Sequence, residues 1–205
     1  MQYFPHREFL SGTSDAVRFV EDLREYANRM HSIQPSHHLS EFLDCSACGH
    51  NNPASRIDHI AVYAGDYQLD EDFEAWLGSL RHLCALSNLR MGPSYIAPRE
   101  YGTQGYWISA DLAMAAVEIF AIKRSGTWQQ FAPAKKAARM SHVALAVDHR
   151  SQVLQVITDL SRYPQIRVLS YSPEDELSHT YGHLLNENTN RVLEIVHVGL
   201  PSICS

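Results

Sequence analysis

Residues 58–62, DHIAV, and residues 141–145, SHVAL, are two versions of one short apolar segment with a histidine at its second position. Each segment has the composition of a buried strand. A second pair of segments also matches, because VEIF at 117–120 and LEIV at 193–196 each place a glutamate among apolar residues. The chain therefore contains an internal repeat, in which a strand with a histidine is followed by a later strand with a glutamate.

The residues between these segments predict the same element order in both copies. Apolar side chains recur every three to four positions in the helical segments, and apolar or β-branched residues dominate the strands. The first copy is predicted as a strand at 57–64, a helix over 68–84 and strands at 86–92, 104–110 and 115–122. The second is predicted as a strand at 141–147, a helix over 150–162 and strands at 165–171, 179–186 and 191–198. We therefore expect an α+β fold with two tandem βαβββ modules, at 56–123 and 140–200, joined by a connector at 124–139.

Residues 1–55 form an N-terminal extension with a different pattern. Apolar residues at helical spacing behind Ser14 predict an amphipathic helix over 15–31. From 37 to 53 the chain is polar and rich in turn residues, which predicts a loop. Cys45 and Cys48 lie in this loop, but no second cysteine pair of matching spacing is present to complete a zinc knuckle. We therefore expect this loop to be a mobile segment with two free thiols.

The composition indicates which classes of partner to expect. The chain has 205 residues, 45% of them hydrophobic and 20% charged, which is typical of a soluble globular protein. The net charge of −6 and the lack of a long Lys/Arg run argue against nucleic acid as a partner. No segment reaches the roughly 18 apolar residues of a membrane-spanning helix. Four cysteines without a secreted disulfide pattern lead us to expect a cytoplasmic protein.

The histidines and glutamates of the repeat form a candidate metal site. A charged carboxylate buried in an apolar strand is costly unless it is paired or binds a metal. His59, Glu118, His142 and Glu194 together could hold one divalent ion, with Zn, Ni, Fe, Co and Mn all suited to nitrogen and carboxylate ligands. Such a set leaves coordination positions for water or a substrate, which indicates catalysis. Asp58 is excluded from the site because adjacent strand residues point to opposite faces.

Side chains on the third strand of each predicted module are candidates for substrate contacts. Tyr106 lies in QGYWISA, and Tyr181 and His183 lie in HTYGHLL. Aromatic residues at such positions also pack in protein cores, so both interpretations stand for these three side chains.

The repeated motifs HIAV…VEIF and HVAL…LEIV resemble the vicinal oxygen chelate superfamily, which includes glyoxalase I, methylmalonyl-CoA epimerase, extradiol dioxygenases and bleomycin-resistance proteins. The resemblance covers residues 56–198 and implies a half-open, cupped barrel around a divalent metal. It also implies metal ligands at His59, Glu118, His142 and Glu194. The helix before DHI resembles the YecM-like branch. The chain differs from compact glyoxalases in its N-terminal extension and in lacking a segment that matches a glutathione site.

The resemblance implies a metal-dependent enzyme of the glyoxalase or epimerase type, an isomerase or lyase acting on a small molecule with vicinal oxygens. The metal would act as a Lewis acid, and Glu194 or Glu118 would move a proton between adjacent carbons. Two alternatives remain from the same superfamily: an Fe(II)-dependent dioxygenase and a non-catalytic protein that binds a small molecule. A homodimer is common in the superfamily and is a possible assembly.

Overall fold

The structure is a computed structural model that describes residues 25, 28–30, 32–45, 53–67, 70–86, 90–93, 104–109, 116–123, 142–175 and 178–199. In chain order the elements are α1 (Pro35–Leu43), β1 (Ala54–Tyr67), α2 (Asp70–Leu86), β2 (Arg90–Pro93), β3 (Gln104–Ser109), β4 (Ala116–Lys123), β5 (His142–Val147), α3 (Arg150–Leu160), β6 (Ile166–Ser172), β7 (Thr180–Asn186) and β8 (Arg191–His197). Among the described helices, none is long and apolar enough to cross a membrane.

The chain divides into two compact units, and the boundary between them falls within β1. The first unit comprises residues 1–32 and 60–141, and the second comprises residues 33–59 and 142–205. Residues 15–24, 26, 27 and 31 of the predicted helix over 15–31 lie outside the described part. Glu25 and residues 28–30 are helical, as predicted.

The first unit contains a sheet with α2 packed against it. Its strands follow the order β2-β3-β4-β1, and the β2–β3 and β3–β4 pairs are antiparallel. Phe73 and Leu77, one turn apart on α2, are buried, and Trp76 and Met91 pack against them. Cys84 is buried further along the same helix, where burial raises the pKa of its thiol to about 11. This cysteine is therefore a protonated core residue at neutral pH.

The second unit contains a sheet in the order β1-β5-β8-β7-β6. The pair β5–β8 is parallel, whereas β8–β7 and β7–β6 are antiparallel. Every residue of β5 and β7 is buried, so these strands are covered on both faces. Helix α3 buries Val153, Val156, Ile157 and Leu160. Burial of each such side chain stabilises the fold by roughly 1.5–3 kcal/mol.

The two faces of this second sheet differ in chemistry. Gly182 of β7 faces α3, because a Cβ there would lie 2.4 Å from Cδ1 of Ile157. His183, the next residue, therefore points to the opposite face. The strand register places Glu194 of β8 beside His183, and Ala144 of β5 beside Glu194. The apolar face receives α3, and the other face carries the ionisable groups.

The predicted α+β class is confirmed, with a mixed sheet and a few packed helices. Strand and helix boundaries agree closely with the sequence pattern, as for β5 at 142–147 and α3 at 150–160. Two strands differ from their predicted bounds. The strand predicted at 57–64 is longer, because β1 spans Ala54–Tyr67. The strand predicted from residue 86 begins at Arg90 among the described residues, because α2 continues to Leu86.

The loop predicted over 37–53 is wrong at its start, because residues 35–43 form helix α1. Pro35 occupies the first turn, where its fixed φ favours a helix and its missing N–H costs no hydrogen bond. The helix ends at Asp44, which has the left-handed φ of 53°. The apolar face of this helix is short, and polar residues separate its apolar positions, so the sequence pattern resembles that of a loop. Its buried residues are His38, Leu39, Phe42 and Leu43.

Side chains from β7 and β8 hold the C-terminal end of α1. The last carbonyl groups of a helix lack partners within the helix. Asn186 donates from Nδ2 to the carbonyl oxygen of Phe42 at 2.6 Å, and Arg191 donates from Nη1 to that of Glu41 at 2.7 Å. Tertiary contacts therefore stabilise a helix that the sequence pattern alone does not reveal.

Cys45, just after α1, is disulfide-bonded. The interpretation of Cys45 as a free thiol is therefore wrong. Its partner lies outside the described residues, whereas Cys84 is a free cysteine.

Candidate metal centre

Three of the predicted ligands converge in the second unit. His59 lies on β1, His142 begins β5 and Glu194 lies in the middle of β8. Oε2 of Glu194 is 3.1 Å from Nε2 of His59 and 3.1 Å from Nε2 of His142. The two Nε2 atoms are 3.3 Å apart. One atom from each residue therefore lies at the corner of a small triangle, in the group of three that could hold a metal ion.

The size of this triangle matches one face of a first-row metal site. Bonds of about 2.0–2.1 Å place neighbouring ligand atoms about 2.9 Å apart at octahedral angles and about 3.3 Å apart at tetrahedral angles. The observed separations of 3.1, 3.1 and 3.3 Å lie between these values. The three atoms can bind a single ion with little movement of their side chains.

Hydrogen bonding determines which nitrogen of His59 faces the triangle with a lone pair. Nδ1 of His59 is 3.1 Å from Oδ2 of Asp58, and a carboxylate can only accept, so Nδ1 of the neutral ring carries the proton. Nε2 of His59 then presents a lone pair to Oε2 of Glu194, which is also an acceptor. Two acceptors 3.1 Å apart repel each other unless a cation or a proton lies between them.

The ionisation states of the other two groups also suit a cation. Burial lowers the pKa of His142 from 6.5, although its contacts with Glu194 act in the opposite direction. Burial would raise the pKa of Glu194, but the nearby histidines, His183, His59 and His142, outweigh it and hold that pKa well below 4.5. At neutral pH the site therefore has a charged carboxylate and a neutral imidazole, the forms that bind metals.

The centre is almost completely enclosed. The exposed fraction of the side chain is 13% for His59, 2% for His142 and 1% for Glu194. Oε1 of Glu194 is buried and has no hydrogen-bond partner among the described residues. The other oxygen of this carboxylate, Oε2, is the atom that belongs to the ligand triangle.

His183 also reaches this carboxylate. Its Nε2 is 3.4 Å from Oε2 of Glu194, and its Nδ1 is 2.9 Å from Oγ of Ser170. Its ring meets those of His142 and Tyr181 edge to face, with centroids 5.1 and 5.9 Å apart. Both His183 and Tyr181 are fully buried. Their contact with a substrate stays a prediction, and what the structure places beside His183 is Glu194.

The remaining predicted residues belong to the first unit. Glu118 is half-buried on β4, paired in register with Trp107. Its roles as fourth ligand and proton carrier stay predictions. Tyr106 lies on β3, paired with Ile119, and its side chain is outside the described part of the chain.

Two polar residues at the centre were not predicted from the sequence. Asp58 is not one of the three candidate ligands, but its carboxylate reaches Nδ1 of His59, a contact that the sequence analysis did not predict. The adjacent Asp-His pair was the available signal. Ser170 carries no comparable signal, because its position opposite His183 depends on a register shift in β6.

Two solved structures align with this chain at low sequence identity, both with TM-scores below 0.5. Methylmalonyl-CoA epimerase from Mycobacterium tuberculosis has a TM-score of 0.47 and 9% identity, over 73% of this chain and 92% of that chain. The Streptomyces coelicolor methylmalonyl-CoA epimerase in complex with 2-nitronate-propionyl-CoA has a TM-score of 0.43 and 16% identity, over 72% and 99%. These epimerases are members of the vicinal oxygen chelate superfamily, which the repeated motifs resemble. No protein-family model and no curated protein matches the sequence.

Proposed function

We propose that the second unit binds one divalent metal ion through His59, His142 and Glu194, and that the chain is a metal-dependent enzyme. The observation that carries this proposal is the triangle of ligand atoms with edges of 3.1, 3.1 and 3.3 Å. Its size suits a first-row ion, and its donors are two imidazoles and a carboxylate. The position of the proton on Nδ1 of His59 adds support, because Nε2 then carries a lone pair.

The repeat supports Glu118 as the fourth ligand. It occupies the last strand of its unit, paired with the third strand, as Glu194 is paired with His183. The element order β1-α2-β2-β3-β4 recurs as β5-α3-β6-β7-β8. We take these as two copies of one βαβββ module and propose the cupped half-barrel that the superfamily resemblance implies. A small-molecule substrate and a homodimer are part of the same proposal.

The proposed reaction is an isomerisation or a lyase reaction on a small molecule with two neighbouring oxygens. When bound, the ion would supply Lewis acidity, which favours loss of a proton from the carbon beside a carbonyl group. Glu194 is held by three imidazoles and remains a carboxylate at neutral pH. Glu118 is half-buried and is the better candidate for carrying a proton, because a general base must reach its substrate.

An Fe(II)-dependent dioxygenase is the second candidate. Two histidines and one carboxylate on one face of a metal are typical of non-haem iron oxygenases. His59, His142 and Glu194 form such a set. The identity of the metal and the use of oxygen separate this reaction from the isomerase or lyase.

Metal analysis of the purified chain tests the proposal directly. We expect about one ion per chain after reconstitution, and loss of that ion in His142→Ala and Glu194→Gln, because each removes one of the three buried ligands. His37→Ala is the matched control, since His37 is an exposed histidine of the same unit. Equal metal content in the wild type and both site variants would contradict the proposed centre.

The reaction class is tested on the reconstituted chain. Deuterium uptake from D₂O by small carbonyl compounds with vicinal oxygens, in the presence of Zn, Ni or Co, would support the isomerase or lyase. Oxygen consumption that requires Fe(II) would support the dioxygenase. Glu118→Gln should abolish deuterium uptake in the first case while the wild-type fold is retained.

A further inference from the structure

A row of side chains crosses the second sheet beside the proposed centre. In register order it runs from Ala144 on β5 to Glu194 on β8, His183 on β7 and Ser170 on β6. Residues in register on neighbouring strands point to the same face. Oγ of Ser170 is 2.9 Å from Nδ1 of His183, and Nε2 of His183 is 3.4 Å from Oε2 of Glu194. The imidazole therefore lies between an outer hydroxyl, to which Nδ1 is hydrogen-bonded, and the carboxylate, from which Nε2 is at ion-pair distance.

A bulge in β6 creates this row. Val168 pairs with Leu184, but the next pair is Ser170 with His183, so Leu169 falls outside the one-to-one register. Without the extra residue, Leu169 would lie opposite His183. Bulges redirect side chains and are frequent next to active sites. Here the irregularity brings a hydroxyl to a fully buried imidazole.

The two neighbours determine which nitrogen of His183 carries the proton. Nε2 faces an anionic oxygen that can only accept, so a lone pair on Nε2 would be repelled. Ser170 can either donate or accept, and it is the partner that adapts. The arrangement without repulsion has N–H at Nε2 pointing to Glu194 and the Ser170 hydroxyl donating to Nδ1.

We propose that His183 is a positioning residue for Glu194: it donates its Nε2–H to Oε2 and is held in that tautomer by Ser170. This inference rests on the proposed metal centre, since its consequence is the orientation of a metal ligand. It differs from the predicted contact between His183 and a substrate. The hydrogen bond would hold the carboxylate in the rotamer that meets the two ligand histidines, with Oε1 left available.

The tautomer of His183 is the first test, and it needs no metal. In the metal-free chain labelled with ¹⁵N, long-range ¹H–¹⁵N correlation spectra distinguish a protonated Nε2 from a protonated Nδ1. His183→Gln identifies the signals of this ring. We expect a proton on Nε2. A proton on Nδ1 would overturn the proposal, because Nε2 could not then donate to Glu194.

Metal affinity in matched variants is the second test. Outer partners of metal ligands contribute about tenfold to hundredfold in affinity. We expect His183→Leu to weaken Co²⁺ binding by about that factor, and His183→Gln to restore most of it, because the glutamine amide can donate from a similar position. Ser170→Ala should weaken binding less. Ser172→Ala is the control, since this buried hydroxyl on the same strand has no hydrogen-bond partner among the described residues.

The outcomes separate this proposal from the metal centre itself. If the wild-type chain binds no metal, the proposed function fails, and the tautomer still decides whether His183 donates to Glu194. If the wild type binds Co²⁺ and His183→Leu binds it equally well, the centre stands and the positioning role is overturned. An equal loss of affinity in Ser172→Ala and Ser170→Ala would overturn the role of Ser170.

Discussion

At the scale of single residues, the centre depends on where a few protons lie. Two carboxylates face opposite nitrogens of His59: Asp58 lies at Nδ1 and Glu194 lies at Nε2. Asp58 holds the proton on Nδ1, so Nε2 carries the lone pair that can bind a cation. A ligand histidine commonly donates its other N–H to a carboxylate, which orients the ring and raises its basicity.

Replacement of Asp58 should therefore weaken metal binding without removing a ligand. We expect Asp58→Ala to lower the affinity for Zn²⁺ or Co²⁺ by about tenfold to hundredfold, measured by competition with a chelator. Asp58→Asn should have a smaller effect, because its amide oxygen can still accept from Nδ1. Asp148→Ala, at an exposed position, is the control. Unchanged affinity in Asp58→Ala would contradict the role of this carboxylate.

The pKa shifts predict how the metal-free chain responds to acid. Burial lowers the pKa of His142 below 6.5, so the unfolded chain takes up this proton first as the pH falls. The pKa of Glu194 is also low in the folded state, despite burial, because of the nearby histidines. Its contribution to stability is present above pH 4.5 and is lost as the pH falls through the folded pKa. Both groups therefore lower the stability of the folded chain as the pH falls.

We therefore expect the free energy of unfolding of the metal-free chain, measured with urea, to decrease as the pH falls from 6.5. Each extra proton bound by the unfolded state contributes a slope of about 1.4 kcal/mol per pH unit. The double variant His142→Gln/Glu194→Gln should show a shallower slope over the same range. An equal slope in the wild type and this variant would show that other groups cause the acid sensitivity.

At the scale of elements, a close approach between β7 and α3 positions the polar face. Gly182 lies against Ile157, and a Cβ at residue 182 would also lie 3.1 Å from the carbonyl oxygen of Ser170. The absence of a side chain there lets α3 approach the strand. His183 is the next residue, so the packing of the apolar face and the placement of this imidazole are linked through one strand.

Gly182→Ala should destabilise the fold by about 1–3 kcal/mol, the usual cost of overpacking a core. Ile157→Val removes the atom that lies 2.4 Å from the added Cβ, so the double variant should lose less than the sum of the two single variants. Gly78→Ala on α2 is the control, because nothing lies within 4 Å of a Cβ there. Additive effects in urea unfolding of the Gly182 and Ile157 variants would contradict this packing.

The elements differ in how clearly the sequence indicates them. β5 is buried along its whole length and appears in the sequence as a short apolar run, HVALAV. β7 is equally buried, although it includes Thr180, His183 and Asn186. α1 was not predicted, because side chains of Asn186 and Arg191, distant in sequence, stabilise its end. The bulge in β6 is equally hidden, since register is decided by the partner strand.

At the scale of the whole molecule, metal binding should stabilise the fold. The ligands come from β1, β5 and β8, which are distant in sequence, so an unfolded chain has no comparable site. Free metal at about 100 times the dissociation constant stabilises the folded state by about 2.7 kcal/mol. We expect the melting temperature to rise with added Co²⁺ and to fall back with a chelator.

The matched control for this thermal shift is Glu194→Gln, which should melt at the same temperature with and without Co²⁺. A shift of the same size in this variant would place the metal elsewhere on the chain. Dimerisation and a cytoplasmic location stay predictions, and the first is measurable by light scattering on the same samples.

The sequence by itself determined the α+β class, the strand and helix order and three residues of the candidate centre. Strands and helices produce periodic apolar patterns in the sequence. A repeated His and Glu in buried strands indicates a shared site, because a buried carboxylate is costly unless it is paired or binds a metal. The tertiary structure alone decided that the carboxylate of Asp58 contacts His59, that Ser170 contacts His183 and that α1 forms. Each of these features depends on side-chain direction, strand register or a partner distant in sequence, and none of them produces a periodic pattern of apolar residues.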